Sequence, residues 1–237
     1  DKAQELIDKR TEQLAKMDEF VQSVFLEIFG DVDVNPNGWN KQQLKQHLLS
    51  IDSGWSPNCN DYPAPLGEWG VLKLSAVTGG EYKETENKAL PVELQPKGNI
   101  EVHVGDLLVT RKNTRQLVGA CAYVMNTQPC LMLPDTIFRF NTKDSINKVF
   151  LWKLFNDYKF KKIVQNLASG SAGSMPNISK GKLMALEIPL PPLDLQIQFA
   201  AIIEKTEQQK ALMQQSLAQM ENNMSSLMQR AFKGELF

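Results

Sequence analysis

The chain has 237 residues, of which 42% are hydrophobic and 22% charged, so it holds enough apolar material for one or two folded domains. Its 26 Lys and Arg against 27 Asp and Glu give a net charge of −1, a balance that favours no class of partner. No segment approaches the roughly 18 consecutive apolar residues of a membrane-spanning helix. The charged start Asp1–Leu6 is unlike a signal peptide. Because the first residue is Asp1, we expect the chain to start inside a longer protein.

The few cysteines and histidines do not favour a metal site. Cys59, Cys121 and Cys130 are odd in number and widely spaced, and the sequence contains no C-x-x-C motif. His47 and His103 both lack a histidine at the helical i, i+4 spacing. We therefore expect no metal site and no bound cofactor in this chain. Reduced cysteines and a cytoplasmic location fit this pattern.

A seven-residue repeat predicts a long helix at each end of the chain. Apolar residues recur at spacings of three and four over residues 1–29 and 194–233, as they do in coiled coils. The second helix should reach ~60 Å at ~1.5 Å per residue, so it must project or pair. Because the chain enters the middle domain along one helix and leaves along the other, we predict an antiparallel pair. The predicted coiled-coil interface consists of Leu14, Met17, Val21, Val24, Ile203, Leu217, Met220, Met224 and Leu227.

The residues between the helices have the mixed pattern of an α+β fold. Apolar runs entered from turns predict strands at 70–74, 105–110, 117–125 and 136–140. Residues 145–168 predict one helix or a broken pair of helices. Prolines make residues 187–192 extended, as a strand that runs into the second long helix. We predict a globular domain with a twisted sheet, flanked by two antiparallel helices, with boundaries at 1–30, 31–190 and 191–237.

Charge is divided unevenly along the chain. Residues 1–35 carry a net charge of −5, residues 36–190 carry +5 and residues 191–237 carry −1. Within the globular part, residues 143–182 hold eight lysines, Lys161 and Lys162 among them, against two aspartates. Such a basic patch is typical of a protein that binds a nucleic-acid backbone, although a solvated helix face has the same composition.

Two polar loops carry side chains suited to DNA. The segment 110–116 follows a predicted strand, and its Arg, Lys and Asn side chains reach base edges and phosphates. The segment 169–180 combines glycines with hydroxyl and amide groups that suit phosphate oxygens. Each segment alone could also be an ordinary surface turn. The candidate DNA-binding residues are Arg111, Lys112, Asn113 and Arg115; Ser171, Ser174, Asn177 and Lys180; Lys161 and Lys162 for phosphates; and, as weaker additions, Lys73, Tyr82 and Lys182.

Signals for catalysis are weak. Within one short segment, Glu81–Lys83 and Glu86–Lys88 both have the Glu-x-Lys form of many nucleases, and Asp61 upstream could supply a metal ligand. However, this segment reads as a loop and not as a rigid element. Two alternatives stay open: a free-standing metal-dependent nuclease, and a coiled-coil scaffold whose globular part binds protein.

The order of several short motifs resembles the specificity subunit of type I restriction–modification systems. Each motif is weak alone, but the ordered set spans nearly the whole chain. The motifs are Gln22–Asp31, Asn35–Trp39, Val71–Leu74, Gly105–Arg111, Leu117–Gly119 and Ile188–Gln196.

The resemblance implies a noncatalytic DNA-recognition subunit. In that family, each target recognition domain is followed by a long conserved helix, and two such pairs recognise the two halves of a split DNA site. Residues 31–190 would be one such domain, so the resemblance implies the second half of a longer subunit or a half-size subunit that forms a homodimer. The family's recognition domains vary, so base contacts cannot be carried over.

The resemblance also implies partners. These are double-stranded DNA, methyltransferase (modification) subunits that dock on the helices, and a restriction subunit that joins through the assembly. S-adenosylmethionine would belong to the methyltransferase. The helices would set the distance between the two half-sites.

Overall fold

The computed structural model describes residues 2–170 and 175–233. The helices are α1 (Lys2–Phe29), α2 (Ser75–Thr78), α3 (Lys148–Asn156), α4 (Tyr158–Asn166), α5 (Lys180–Met184) and α6 (Leu193–Phe232). The strands are β1 (Lys41–Gln43), β2 (Leu48–Ser53), β3 (Gly70–Leu72), β4 (Asn87–Ala89), β5 (Leu107–Thr110), β6 (Cys121–Tyr123), β7 (Leu131–Met132), β8 (Ile137–Thr142) and β9 (Glu187–Pro189). Two short 3-10 turns lie at Leu44–Gln46 and Gly98–Ile100. The mixture of helices and sheets confirms the predicted α+β class.

The chain forms two compact units, a helical unit of Asp1–Gly30 with Ile197–Phe237 and a globular unit of Asp31–Gln196. The globular unit ends after the expected boundary at 190, because the first turn of α6 is bonded into it. Gln196 is buried; its Oε1 accepts from the Asn147 N–H at 2.9 Å, and its Nε2 donates to the Pro191 carbonyl at 2.8 Å. Within the described ranges, the helices are too short or too polar to cross a membrane.

The helical unit is an antiparallel pair, as predicted. The Phe199 ring on α6 packs edge-on against Phe25 and Phe29 of α1, with ring centres 5.7 and 5.1 Å apart. Eleven residues further along α6, Lys210 pairs with Asp18, which lies earlier in α1. Residue numbers therefore increase along α6 in the direction in which they decrease along α1, so the two helices are antiparallel.

The predicted interface residues differ in burial. Val21, Val24 and Ile203 are buried. Leu14, Met17, Leu217, Met220 and Met224 are partly buried. Leu227 stays 48% exposed. Helix α6 has 40 residues and the described part of α1 has 28. The last turns of α6, where Leu227 lies, therefore extend past α1.

The globular unit contains three sheets. The largest has the antiparallel order β2-β8-β5-β6, the second has the order β4-β3-β7, and β1 pairs with β9. Strand β5 is central in the largest sheet, and all four of its residues are buried, which explains its unbroken apolar run Leu107–Val109. Because β5 and its neighbour β8 are fixed in this core, the residues that follow or precede them are placed rigidly.

The structure refines two of the predicted elements. The segment 145–168 is the broken pair of helices, because Asp157 interrupts it and accepts from the backbone N–H groups of Lys159 and Phe160 at 3.0 Å, as an N-cap does. The strand predicted at 117–125 is shorter, since only Cys121–Tyr123 is extended. Gly119 lies before it with a φ of +81°, which no regular strand accommodates.

Candidate nucleic-acid interface

The two polar loops lie side by side. Arg111 of the first loop contacts Asn177 of the second, 66 residues later in the sequence. The backbone N–H of Arg111 donates to the Thr136 carbonyl at 2.9 Å, and the Arg111 carbonyl accepts from the Ile178 N–H at 2.8 Å. Lys112 and Asn177 form an antiparallel bridge. The pairing continues β5 beyond its end and brings the second loop against the first. Ser171 and Ser174, which were predicted in the second loop, lie outside the described residues.

Arg111 and Lys180 share one aromatic ring. The guanidinium of Arg111 lies 5.0 Å, and the ammonium of Lys180 5.6 Å, from the centre of the Phe138 ring. Phe138 belongs to β8 and is 1% exposed. The Nε–H of Arg111 also donates to the Asn177 Oδ1 at 3.1 Å. Two cations from the two loops thus lie over one buried ring.

The other residues of the first loop have different environments. Lys112 is exposed, and Arg115 is exposed while its Nη1 donates to the Ala168 carbonyl at 3.1 Å. Asn113, in contrast, is 5% exposed: its Nδ2 donates to the Thr78 Oγ1 at 3.1 Å, and its Oδ1 accepts from the Thr114 N–H at 2.8 Å. The structure therefore places the Asn113 side chain inside the loop, buried and hydrogen-bonded internally, which corrects its predicted role as a DNA contact.

The predicted lysines flank these loops. Lys161 and Lys162 lie on α4, where Lys161 is partly buried and Lys162 is exposed. The Lys162 ammonium lies 4.0 Å from the ring centre of Tyr158, and its hydrogen bond and charge lower the pKa of the Tyr158 hydroxyl. Lys182 is exposed and donates to the Leu167 carbonyl at 2.8 Å, at the end of α4.

The two chain segments that contain the loops lack acidic residues. Between Asp106 and Asp135, and again between Asp157 and Glu187, the sequence contains Lys and Arg but neither Asp nor Glu. The cations of these two segments are Arg111, Lys112, Arg115, Lys159, Lys161, Lys162, Lys180 and Lys182. Lys159 is neutralised by Asp31. The remaining seven make no salt bridge within the described part of the chain, so their positive potential is available to an anionic ligand.

The basic run 143–182 is not one continuous face. Lys143 donates to the Gln46 carbonyl and Lys148 to the Gly105 carbonyl, at 2.9 and 2.7 Å. Lys153 lies over the Trp152 ring. These three lysines are engaged in packing the globular unit, and only the second half of the run contributes to the cationic surface.

The side chains of the two weaker candidates, Lys73 and Tyr82, are engaged within the globular unit. Lys73 pairs with Glu86 at 2.8 Å and lines a cavity of about 370 Å³ together with Asn58, Lys88 and Thr136. The Tyr82 hydroxyl is hydrogen-bonded to Thr127 at 2.8 Å and its ring packs against the core. Burial raises the pKa of Tyr82 to about 12. Tyr82 is therefore a packing residue, and Lys73 is not a free cation.

The carboxylates of the nuclease alternative do not converge. Glu86 pairs with Lys73, and Asp61 pairs with Lys88 at 2.6 Å, a hydrogen bond that lowers the pKa of Asp61. Within the described ranges, no three His, Cys, Asp or Glu side chains are grouped so that they could hold a metal ion. The arrangement supplies ion pairs and not a set of metal ligands.

Sequence reasoning missed two participants. Thr136 lies just before β8 and Phe138 near its start, in a segment predicted as a strand, but the sequence predicts for neither that it supports the loops. A lone aromatic in a strand is normally read as core, and only the fold shows that two cations lie above this one.

The sequence is similar to known specificity subunits. Residues 77–222 match the family described as "Type I restriction modification DNA specificity domain". The specificity subunit of the type I restriction enzyme EcoEI from Escherichia coli is 37% identical over 171 residues, which cover 71% of this chain and 29% of that protein. The specificity subunit of EcoKI from Escherichia coli strain K12 is 26% identical over 208 residues, which cover 84% of this chain and 43% of that protein.

The fold is similar to that of a solved relative. The S subunit of a type I restriction–modification system from M. genitalium aligns with a TM-score of 0.60 at 12% identity, over 94% of this chain and 57% of that one. This chain spans well under two thirds of each of these relatives. The matched family covers more than half of the chain, which therefore belongs to the type I restriction–modification DNA specificity domains.

Proposed function

We propose that this chain reads the sequence of one half of a split DNA target for a type I restriction–modification complex, and that it does so without catalysing a reaction. The observation that carries the proposal is the meeting of two polar loops, distant in sequence, from two segments that contribute seven Lys and Arg side chains with no salt bridge among the described residues. Arg and Lys side chains that follow the end of β5 suit base edges, and the flanking lysines suit phosphates.

The proposed binding by this chain alone is weak. A half-site offers few phosphates, and non-specific affinities are typically ~10⁻⁴ to 10⁻⁶ M at physiological salt. Methyltransferase subunits that enclose the duplex would tighten the complex. We propose that they dock on α1 and α6, that S-adenosylmethionine is bound by them and not by this chain, and that a restriction subunit joins through them in the cytoplasm.

The second half-site needs a second recognition domain. We propose that it comes either from the rest of a longer subunit or from a second copy of this chain. The length of α1 and α6 would then set the spacer between the half-sites. The nuclease alternative gains no support from the positions of Asp61, Glu81 and Glu86.

The proposal is tested by selecting duplexes from a random library with the full chain at low salt, with and without a methyltransferase subunit. We expect enrichment of one short sequence. Lys112→Ala with Arg115→Ala should reduce the fraction of DNA retained and so weaken enrichment, because the surface loses two cations. Lys9→Ala with Lys16→Ala removes the same charge from exposed pairs on α1 and should leave enrichment unchanged.

Three results would contradict the proposal. They are the absence of enrichment under both conditions, equal enrichment by the loop variant, and a salt-insensitive complex with protein in place of DNA. Magnesium-dependent cleavage by the chain alone would favour the nuclease.

A further inference from the structure

The Arg111 side chain is held before any ligand arrives. Its backbone is paired on both sides, with Thr136 and with Ile178. Its Nε–H is bonded to the Asn177 Oδ1, and the face of its guanidinium lies over the Phe138 ring. One edge and one face of the planar group are therefore occupied, which fixes the direction of the remaining edge.

The supports of Arg111 are themselves fixed. Asn177 exchanges two backbone hydrogen bonds with Ser169, at 3.0 and 2.9 Å. Phe138 is 1% exposed and belongs to the central antiparallel sheet. The Asn177 backbone and the Phe138 ring are thus held in place, and their contacts favour one direction of the guanidinium.

The outer edge of Arg111 remains open. Among residues 2–170 and 175–233, no acceptor is bonded to its Nη1 or Nη2. These two nitrogens form the edge that donates bidentately to O6 and N7 of guanine in the major groove. Arg115 differs, since its Nη1 already donates a hydrogen bond to the Ala168 carbonyl.

Asn177 itself is badly placed to read a base. A bidentate contact to adenine needs both the amide oxygen and the amide nitrogen of an asparagine. The Oδ1 of Asn177 already accepts from Arg111. The residue therefore acts on DNA through Arg111.

We propose that Arg111, Asn177 and Phe138 form a guanine-reading subsite. Arg111 contacts the base edge, while Asn177 and Phe138 are positioning residues that hold the Arg111 guanidinium in a fixed direction. Lys180, over the same ring, adds positive charge at the rim. This inference rests on the proposed function and names one base that it reads.

The experiment starts from the duplex that the full-length wild-type chain selects from a random library. Each guanine of that duplex is replaced in turn, and binding is measured by competition for wild type and variants. Arg111→Ala should lose roughly 5- to 150-fold discrimination at one guanine, the range of a bidentate pair. Asn177→Ala should lose about 5-fold at the same guanine, the equivalent of one net hydrogen bond.

Two further variants separate positioning from general damage. Asn177→Asp keeps the acceptor for the Arg111 Nε–H, so discrimination at that guanine should persist while all duplexes bind more weakly. Gln165→Ala removes a 2.6 Å hydrogen bond to the Gln116 carbonyl of the same loop without touching Arg111, and should leave discrimination unchanged. Circular dichroism of every variant checks that it is folded.

The outcomes are distinguishable. A wild-type chain with no sequence preference would overturn the proposed function and this inference together. A selective wild-type chain whose Arg111→Ala variant loses affinity equally on all duplexes would show a phosphate contact and overturn the inference alone. Unchanged discrimination in Asn177→Ala, or a switch from adenine to cytosine in Asn177→Asp, would also overturn it.

Discussion

Lys210 and Asp18 form a salt bridge with an N–O distance of 2.6 Å in which the lysine side chain is only 4% exposed and the aspartate side chain is 63% exposed. Glu207, 10% exposed, lies 3.4 Å from the same ammonium. The pair thus joins α1 to α6 through a charge inside the seam. A polar group in an otherwise apolar seam fixes which residues face each other, because other registers would leave it unpaired.

We expect Lys210→Ala to destabilise the helical unit by about 2–4 kcal/mol, because it leaves Glu207 without this cation and removes a buried aliphatic stem. The matched control is Lys16→Ala. Lys16 pairs with Glu12 at the same 2.6 Å, but both side chains are more than 60% exposed, so no measurable loss is expected. Urea unfolding followed by circular dichroism measures both, and equal midpoints for the two variants would contradict the assignment.

A second prediction concerns the buried guanidinium of Arg139. It is 8% exposed, and all five of its N–H groups have acceptors: Asp52 takes two, and Asp106 and the carbonyls of Asn99 and Glu101 take one each. Burial alone would raise the pKa of Asp52, but hydrogen bonds from Asn141, Arg139 and Ser50 outweigh it and hold that pKa below its usual value. The native fold therefore prefers the ionised carboxylate.

Asp52→Asn should lower the free energy of unfolding at neutral pH, and the difference from wild type should shrink under acid. A carboxylate with a lowered folded pKa stabilises the fold above the pKa of the unfolded chain, about 3.9, and this contribution is lost as the pH falls through the folded value. Thermal unfolding of both proteins between neutral pH and roughly pH 3 measures the difference. A gap that stays constant over this range would mean that packing, and not charge, is lost.

The third prediction concerns Lys161 and Lys162 on α4. Lys161→Ala and Lys162→Ala should weaken binding to selected and random duplexes alike, since a phosphate contact carries no sequence information. Each lost contact should lower the slope of log K against log salt by about 0.9. Fluorescence anisotropy over a salt series measures both quantities, with Lys16→Ala as the control. A loss confined to the selected sequence would assign these lysines to base contacts.

The helices and the central strands could be predicted because their patterns are local. The heptads mark α1 and α6, and the apolar runs mark β5 and β8. Strands of two or three residues such as β4 and β7 were missed, because so few residues show no alternation and their pairing depends on distant partners. The segment 117–125 looked like one strand, since a single Gly119 at positive φ is hard to read from composition.

The residue types of the candidate site were predictable, but their roles were not. Charge and loop position singled out both loops before their contact was known. Asn113 and Tyr82 have side chains suited to DNA and yet are used internally, by Thr78 and Thr127. Whether a polar side chain points outward depends on which neighbours need a hydrogen-bond partner, and this is decided by contacts far apart in sequence.

The last prediction concerns the close approach of Gly119 to α4. Its N–H donates to the Thr110 carbonyl at 2.8 Å and so closes the first loop. Its φ is +81°, and a Cβ built there would lie 2.5 Å from the Val164 Cγ1. Gly119→Ala should therefore destabilise the globular unit by about 1–3 kcal/mol through backbone strain and overpacking. Gly181→Ala on α5 is the matched control, since a Cβ there meets no atom within 4 Å, and it should be neutral or stabilise by up to about 1 kcal/mol.

A double variant separates the two causes in Gly119→Ala. Val164→Ala alone removes methyl groups from a side chain that is fully buried, and should cost about 1–2.5 kcal/mol. In the double variant the shortened side chain makes room for the new Cβ, so the combined loss should be smaller than the sum of the two single losses. Thermal unfolding of all three proteins gives this coupling. Strict additivity would assign the whole effect to the positive φ, and a Gly119→Ala protein as stable as wild type would contradict the close packing of the loop against α4.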